Sequence, residues 1–364
     1  MKITIVSFKN DPHALAVAWG LRTIGYNPQI LYFTALADHH KITLRPGFDG
    51  KSTIKASNLS FPISESDTIW WRRPAGVHLP GSLHPSDRKI AEQEWGILQK
   101  SIISISGYND CFCVNPPGEF HSGSLKAFQL IIARAVGFDI PETIISNDPL
   151  EIKSFIKNNP RTIFKTSTPA TWVHSDGSHA EFLTELVEWN DELADSIAAC
   201  PGIYQRYVEK KFEVRSVIFG ETIFSFKIDS QEDKNSLLDW RKRPEYTRGI
   251  VTPINTPEFV SDRIRGLMKE LSLVTGSIDF IVTPNEEWVF LEINPSGQFL
   301  WLEYDCPSVP LLDAFCKFLI SRSDDFVYNN KPHVYLHEFD KIANLVMAEE
   351  PKIHEFIHSS VVPE

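Results

Sequence analysis

Two acids and an amide are spaced in this chain to hold a hard cation. Ser277–Val282 and Trp288–Pro295 read as two strands joined through Thr283-Pro284-Asn285-Glu286-Glu287. A turn about Asn285 and Glu286 sets Asp279 directly opposite Glu292, and Asn294, two residues further, falls on the same face. Like charges facing each other across a sheet repel unless a divalent cation sits between them, with the Asn carbonyl completing its shell. The trio therefore reads as a magnesium site. The alternative is an exposed hairpin whose acids are merely solvated. The apolar residues Phe280, Val282, Val289, Leu291 and Ile293 are assigned to the opposite face, over a core.

Other charged residues stand on neighbouring strands. Lys165 closes the apolar strand Arg161–Lys165, a place commonly filled by a snorkelling edge residue. Phe212–Phe219 and Thr222–Ile228 pair through Gly220-Glu221, a register that puts Glu213 and Arg215 on one face and Arg215 opposite Phe226. Such an acid and base alone can be a surface pair worth less than about 1 kcal/mol. Arg72 and Arg73 end the strand Thr68–Pro74 on opposite faces. Either one of them meets a substrate anion, or the cation stacks on a tryptophan or pairs with a core carboxylate. Cys111 and Cys113 share a strand face, and a buried reduced pair fits them better than metal ligation, which needs two more soft ligands.

The elements that must position these groups have their own signals. Ile3–Phe8 is a strand; Asp11 and Pro12 start a helix through Ala14–Ile24 that Gly25 ends; Pro28–Phe33 is the next strand, giving a parallel βαβ unit. Ser7–Asp11 contains no G-x-G-x-x-G, which excludes a dinucleotide site there. The stretch from His39 to Phe61 is expected to be a loop or small hairpin, and Ser86–Ser106 a helix with Ile90, Ile97, Leu98 and Ile102 on its apolar stripe. Pro116-Pro117-Gly118 marks a linker, followed by helices over Ser124–Val136 and Pro149–Asn158 and a strand over Ile203–Val208. With 364 residues the chain exceeds the usual size of one domain. Five cysteines at irregular positions make no disulfide framework. There is neither a secretory lead nor an apolar run of about 18 residues, so no membrane is expected and a cytoplasmic protein is. A net charge of −11 argues against binding to a phosphate backbone, so no nucleic acid is expected as a partner.

Taken in order, the strand ending at Lys165, the strand Ile203–Val208, the Glu213-x-Arg215 hairpin, Asp239-Trp240-Arg241 and the Asp279/Glu292/Asn294 hairpin resemble the ATP-grasp superfamily. Within it, Trp70-Trp71-Arg72-Arg73-Pro74, Ile228-Asp229-Ser230-Gln231, Asp239-Trp240-Arg241 and Leu291-Glu292-Ile293-Asn294-Pro295-Ser296-Gly297-Gln298-Phe299 look most like the microviridin-type ligases. These are the graspetide synthetases, which mature ribosomal peptides by closing ester or amide rings. The likeness covers residues 1–320 and is silent on 330–364.

The resemblance implies an α/β protein of ATP-grasp fold. Its N-terminal Rossmann-like pre-ATP-grasp domain would span 1–116, a central α/β domain 117–200, and a C-terminal antiparallel-sheet domain 201–325, with an extension of unknown role over 326–364. It implies ATP and Mg2+ as cofactors. Lys165 and, less securely, Lys126 match phosphate contacts; Gln205, Arg206 and Tyr207 match the hinge whose backbone meets adenine; Glu213 matches the ribose acid. Arg215 and Arg241 match arginines near the phosphates or the acyl phosphate, and Asp279, Glu292 and Asn294 match the magnesium ligands; Arg72 and Arg73 stand as substrate contacts on the strand reading given above. The loop after Lys165 departs from the pattern, having no glycine before Gly177; His174 and His179 beside it are read as exposed loop histidines. A precursor peptide with a leader segment is the implied partner, and a homodimer the implied assembly. The implied reaction is phosphorylation of a side-chain carboxylate by ATP and attack on the acyl phosphate by a Ser, Thr or Lys side chain. No residue stands out as the general base. A ligase joining an amino acid to a small acid or protein terminus is the alternative, and a non-catalytic ATP-binding module a third reading, against which the intact trio argues.

Overall fold

A strand covered on both faces is an unbroken apolar run, and Ile3–Ser7 is buried at every position. The computed structural model describes residues 1–47, 52–108, 110–167, 171–173, 179–181, 183–232, 234, 236–242, 250–329 and 331–349. Its first part comprises β1 (Ile3–Ser7), α1 (Pro12–Thr23), β2 (Gln29–Tyr32), α2 (Leu36–His39), β3 (Ile42–Arg45), β4 (Thr53–Ala56), β5 (Thr68–Trp71), α3 (Pro85–Tyr108) and β6 (Phe112–Val114). Strands β2-β1-β5-β6 make a parallel sheet, and β3 and β4 form the small hairpin. Asp11 caps α1 by accepting the His13 N–H at 3.0 Å, and Gly25, at φ 92°, turns the chain out of it. One expectation fails in α3: Ile90 and Ile97 are 63% and 61% exposed. Only the second half of the helix, at Gln99, Ile102 and Ser106, is buried, so the apolar stripe outruns the surface it covers.

The second part runs α4 (Pro117–Gly123), α5 (Lys126–Ala135), β7 (Thr143–Ser146), α6 (Pro149–Asn158), β8 (Thr162–Lys165), β9 (Thr171–Val173), β10 (His179–Glu181), β11 (Glu185–Val187), α7 (Ala194–Ala199) and β12 (Gly202–Arg206). The linker expected at Pro116-Pro117-Gly118 is instead the start of α4, because proline is tolerated at the first helical position, where no N–H is needed. Strands β11-β8-β12-β7 form an antiparallel sheet. The third part is β13 (Phe212–Phe219), β14 (Thr222–Ile228), β15 (Val251–Ile254), α8 (Glu258–Glu270), β16 (Thr275–Val282) and β17 (Trp288–Asn294), the strands ordered β15-β14-β13-β16-β17 and all antiparallel.

Helices α9 (Leu300–Asp305), α10 (Leu311–Ser321), α11 (Leu336–Asp340) and α12 (Ala343–Glu349) complete the described chain. One hydrophobic core joins Ile3, Leu15 and Leu21 to Phe219, Phe315, Phe318, Leu336 and Phe339, so the first sheet, the last sheet and part of the C-terminal extension are packed together. Gly20 allows α1 to approach α10 closely, since a Cβ there would lie 2.8 Å from Cys316 Sγ. Among the described residues no helix is long and apolar enough to cross a membrane.

Buried Glu303 ties this end together, accepting the Leu312 N–H at 2.7 Å and the Leu336 N–H at 2.8 Å near the starts of α10 and α11. Burial pushes its carboxyl up from 4.5 to about 7, against the pull of those N–H groups. A carboxyl raised on folding contributes stability that is complete below 4.5 and is lost as pH rises through about 7. Wild type is therefore expected to lose thermal stability across that window relative to Glu303→Gln, which has nothing to titrate; parallel profiles would refute the assignment. Glu303→Ala orphans two buried N–H groups at about 1–3 kcal/mol each, measurable by urea unfolding.

Candidate active site

The register of the third sheet lines up one row of side chains. Arg215 on β13 pairs with Phe226 on β14 and with Asp279 on β16, and Asp279 pairs with Glu292 on β17. Arg215 Nη1 stands 3.4 Å from Asp279 Oδ1, and Lys126 Nζ, at the first residue of α5, stands 3.0 Å from Glu292 Oε2. The charges run plus, minus, minus, plus. Asn294 pairs with Ser277 two residues along, and its Oδ1 accepts the Ser296 N–H at 3.0 Å. Gly297 then folds back against this step, so close that a Cβ would meet Ser277 Oγ at 2.6 Å.

The expected opposition of Asp279 and Glu292 is observed, but for a different reason. The turn spans Thr283–Glu287, with the Thr283 N–H donating to Glu287 O at 3.0 Å, and from it Val282 pairs with Trp288, Ile281 with Val289 and Phe280 with Phe290. An unbroken ladder would place Leu291, not Glu292, opposite Asp279. A β-bulge at that point adds one residue to β17 and restores the pairing. The bulge also corrects the assigned apolar face. Phe280 and Val282 pack with Trp288, Phe290 and Ile293, not with Val289 and Leu291.

Electrostatics divides the two acids. Burial raises both carboxyls, and for Glu292 the Lys126 and Lys165 ammonium groups outweigh it, holding the group below its usual range. Asp279 is pushed up to about 6, first by burial and then by the charges of Glu292 and Glu213, with Arg215 opposing. Burial is also the main cause that lowers the Lys165 ammonium, which feels Glu292, Lys126, Glu213 and Asp239. An all-oxygen set of two facing carboxylates and an amide, one carboxylate resisting ionisation because it is buried beside another acid, suits a hard divalent cation. Among the described residues no three His, Cys, Asp or Glu side chains form a metal cluster.

The second and third sheets meet at this row. Lys126 Nζ also donates to Thr166 O, just past Lys165, at 3.3 Å. Glu213 is buried and receives Lys210 Nζ at 2.7 Å, a lysine not foreseen from the sequence because it sits in a patternless loop; its Nζ also donates to Leu238 O at 3.0 Å. Asp239 binds Arg241 through Nε at 2.8 Å and Nη2 at 2.6 Å, and accepts the Arg241 N–H at 3.1 Å and the Thr184 N–H at 3.3 Å. Burial would raise its carboxyl, yet those bonds hold it at about 2. Lys242 reaches Glu185 at 2.6 Å, so the Asp239–Lys242 turn is latched to β11 and the residue before it. The D-x-R spacing is the signal that could have shown this, because an Asp side chain readily accepts the N–H two residues on. Trp240 stacks on Trp301 with ring centroids 5.1 Å apart, and the Arg215 guanidinium lies 6.0 Å from the Trp301 ring.

The remaining predicted positions are more scattered. Gln205 is buried and donates to Thr143 Oγ1 at 3.0 Å; the Arg206 N–H is taken by Glu142 O and the Tyr207 N–H by Arg161 O, at 2.9 and 2.7 Å. Arg72 is only 2% exposed, with Nε 3.3 Å from Asp11 Oδ2 and Nη1 donating to Ser296 O at 2.7 Å. Arg72 thus has a core carboxylate as its partner, as the alternative reading expected, because burial demands a charge partner. Arg73 is half-buried. Cys111 and Cys113 are free thiols with Sγ atoms 3.4 Å apart. His174 and Gly177 lie outside the described residues.

No protein-family model matches the chain, and no curated protein matches its sequence. Solved structures do. The Chryseobacterium gregarium RiPP-associated ATP-grasp ligase, in complex with ADP and a leader and core peptide, matches with a TM-score of 0.80 and 24% identity over 92% of this chain and 99% of its own. The macrocyclase MdnC from Microcystis aeruginosa MRC, bound with precursor peptide MdnA, matches with a TM-score of 0.75 and 26% identity over 88% of this chain and 100% of its own. The chain has the fold of these enzymes. The same ATP-grasp fold is shared by PsnB, complexed with minimal precursor, Mg and ADP, at a TM-score of 0.68 and 19% identity over 88% and 97% of the two chains.

Proposed function

We propose that this ATP-grasp ligase activates side-chain carboxylates of a ribosomal precursor peptide with ATP and closes ester or amide crosslinks within that peptide. The observation that carries the proposal is the row Arg215–Asp279–Glu292–Lys126 with Asn294 two residues along, in a chain whose fold is that of peptide-modifying ligases. A carboxylate is a poor electrophile near neutral pH, and taking the γ-phosphoryl of ATP gives it a good leaving group. Magnesium, held by Asp279, Glu292 and Asn294, would neutralise charge on the phosphates. Lys165 and Lys126 meet phosphate oxygens, Lys126 exchanging Glu292 for them. Arg215 and Arg241 stand where charge develops on the transferred group, each aimed by a carboxylate, Asp279 and Asp239 respectively. Glu213, fixed by Lys210, faces the ribose. The hinge of Gln205, Arg206 and Tyr207, whose Arg206 and Tyr207 N–H groups are bonded to Glu142 O and Arg161 O, would meet adenine through its backbone. Arg73, beside buried Arg72, is the member of that pair able to reach a substrate anion.

The same proposal keeps the working division at 116, 200 and 325, a cytoplasmic location and a homodimer. Its test is chemical. Incubated with ATP, Mg2+ and a leader-bearing peptide rich in Glu, Thr and Lys, the protein is expected to release ADP and phosphate and to lower the peptide mass by one water per ring. AMP and pyrophosphate would refute the mechanism. ADP release with the peptide mass unchanged would refute ring closure, and a peptide that gains the mass of a second molecule less one water would favour joining separate molecules.

A further inference from the structure

Strand β17 is the outer strand of its sheet, so the backbone groups on its free edge need partners from elsewhere. At Ile293, between Glu292 and Asn294, both groups find one side chain: Gln129 Oε1 accepts the Ile293 N–H at 3.1 Å, and Gln129 Nε2 donates to Ile293 O at 2.7 Å. Nε2 also donates to Gly123 O at 2.7 Å. Gln129 is 2% exposed and lies on α5, one turn from Lys126. The previous edge bond is the Phe290 N–H to Asp139 O at 2.8 Å. In a regular strand the edge-facing positions are two apart, and here they are 290 and 293. The extra residue between them is the bulge.

We infer that Gln129 is a positioning residue that locks this bulge, and with it the presentation of Glu292 and Asn294. The inference rests on the magnesium site proposed above. A one-residue slip of β17 would pair Glu292 with Ile278 and turn both oxygen donors to the apolar face that Ile278, Phe280 and Ile293 occupy. Asp139 O fixes the strand before the bulge and the Gln129 carboxamide fixes it after, so slippage would cost the bonds on one side. Because Gln129 and Lys126 share a helix, the cation on Glu292 and the clamp on Ile293 move as one unit.

The test measures binding of Mn2+ with a non-hydrolysable ATP analogue, by calorimetry, in wild type, Gln129→Leu and Ile54→Ala. Ile54 belongs to a core under the first sheet, so its truncation reports loss of stability alone. Gln129→Leu is expected to weaken Mn2+ binding by 10-fold or more, the usual cost of losing a group that orients a metal ligand, while Ile54→Ala binds as wild type. Should Gln129→Leu not fold, Gln129→Met keeps the length of the side chain but loses both bonds to Ile293, and the same weakening is expected. Wild-type affinity in either folded Gln129 variant, or equal weakening in Ile54→Ala, overturns the inference. Failure of wild type itself to bind the Mn2+–nucleotide pair would instead overturn the metal site.

Discussion

Glu292→Gln is expected to abolish ADP release while leaving the fold standing. The substitution removes one proton-free oxygen and one negative charge from the row, and Asp279 and Asn294 remain. Loss of a single preorganised charge-stabilising group at such a site costs about 3–4 kcal/mol, or roughly 10²–10³ in rate, and loss of a cation ligand removes more than one such interaction. Stability has little to lose. Glu292 is partly solvent-exposed and its ion pair with Lys126 is also partly exposed, so the pair contributes no more than about 1 kcal/mol. With the neighbouring charge gone, one cause that raises the Asp279 carboxyl also disappears. Thermal melting beside a coupled ADP assay separates the two effects. A variant that turns over at the wild-type rate would remove Glu292 from the chemistry, and one that no longer folds would make it structural.

That Glu292 and Asp279 face each other was legible because sequence spacing and strand period are local properties. The faces of the residues between them were not, because a bulge depends on what brackets the strand from outside: Asp139 O and Gln129, more than 150 positions earlier in the chain. The β13–β14 hairpin was read correctly to the residue, Arg215 opposite Phe226, since a two-residue turn leaves no freedom of register. Helix α3 shows the opposite case. Its periodic stripe is genuine, yet Ile90 and Ile97 are exposed, because a stripe states which face is apolar and not whether anything covers it. The pairing of Arg72 with Asp11, and the packing of α11 against α1, depend on tertiary contacts that no window of sequence contains.

The latch at Asp239 gives the second large expectation. Asp239→Ala is expected to lower the maximal rate by about 10²–10³ through Arg241, although Asp239 itself touches neither nucleotide nor substrate in the proposed site. Three of the four bonds to its carboxylate come from Arg241, and the fourth from the Thr184 N–H fastens the turn to the neighbouring sheet. Without it the guanidinium, already half in solvent, regains its rotamers, and a positioned charge becomes a diffuse one. The Thr184 N–H loses its acceptor as well, at about 1–3 kcal/mol of stability, which melting would register. Arg241→Ala should lower the rate by a similar factor while sparing the Thr184 contact. If the two residues act as one device, the double variant will be scarcely slower than either single one, since each removes the same aimed charge. Rate losses that simply multiply would mean that Asp239 and Arg241 work separately, and that the carboxylate does something other than aim the arginine.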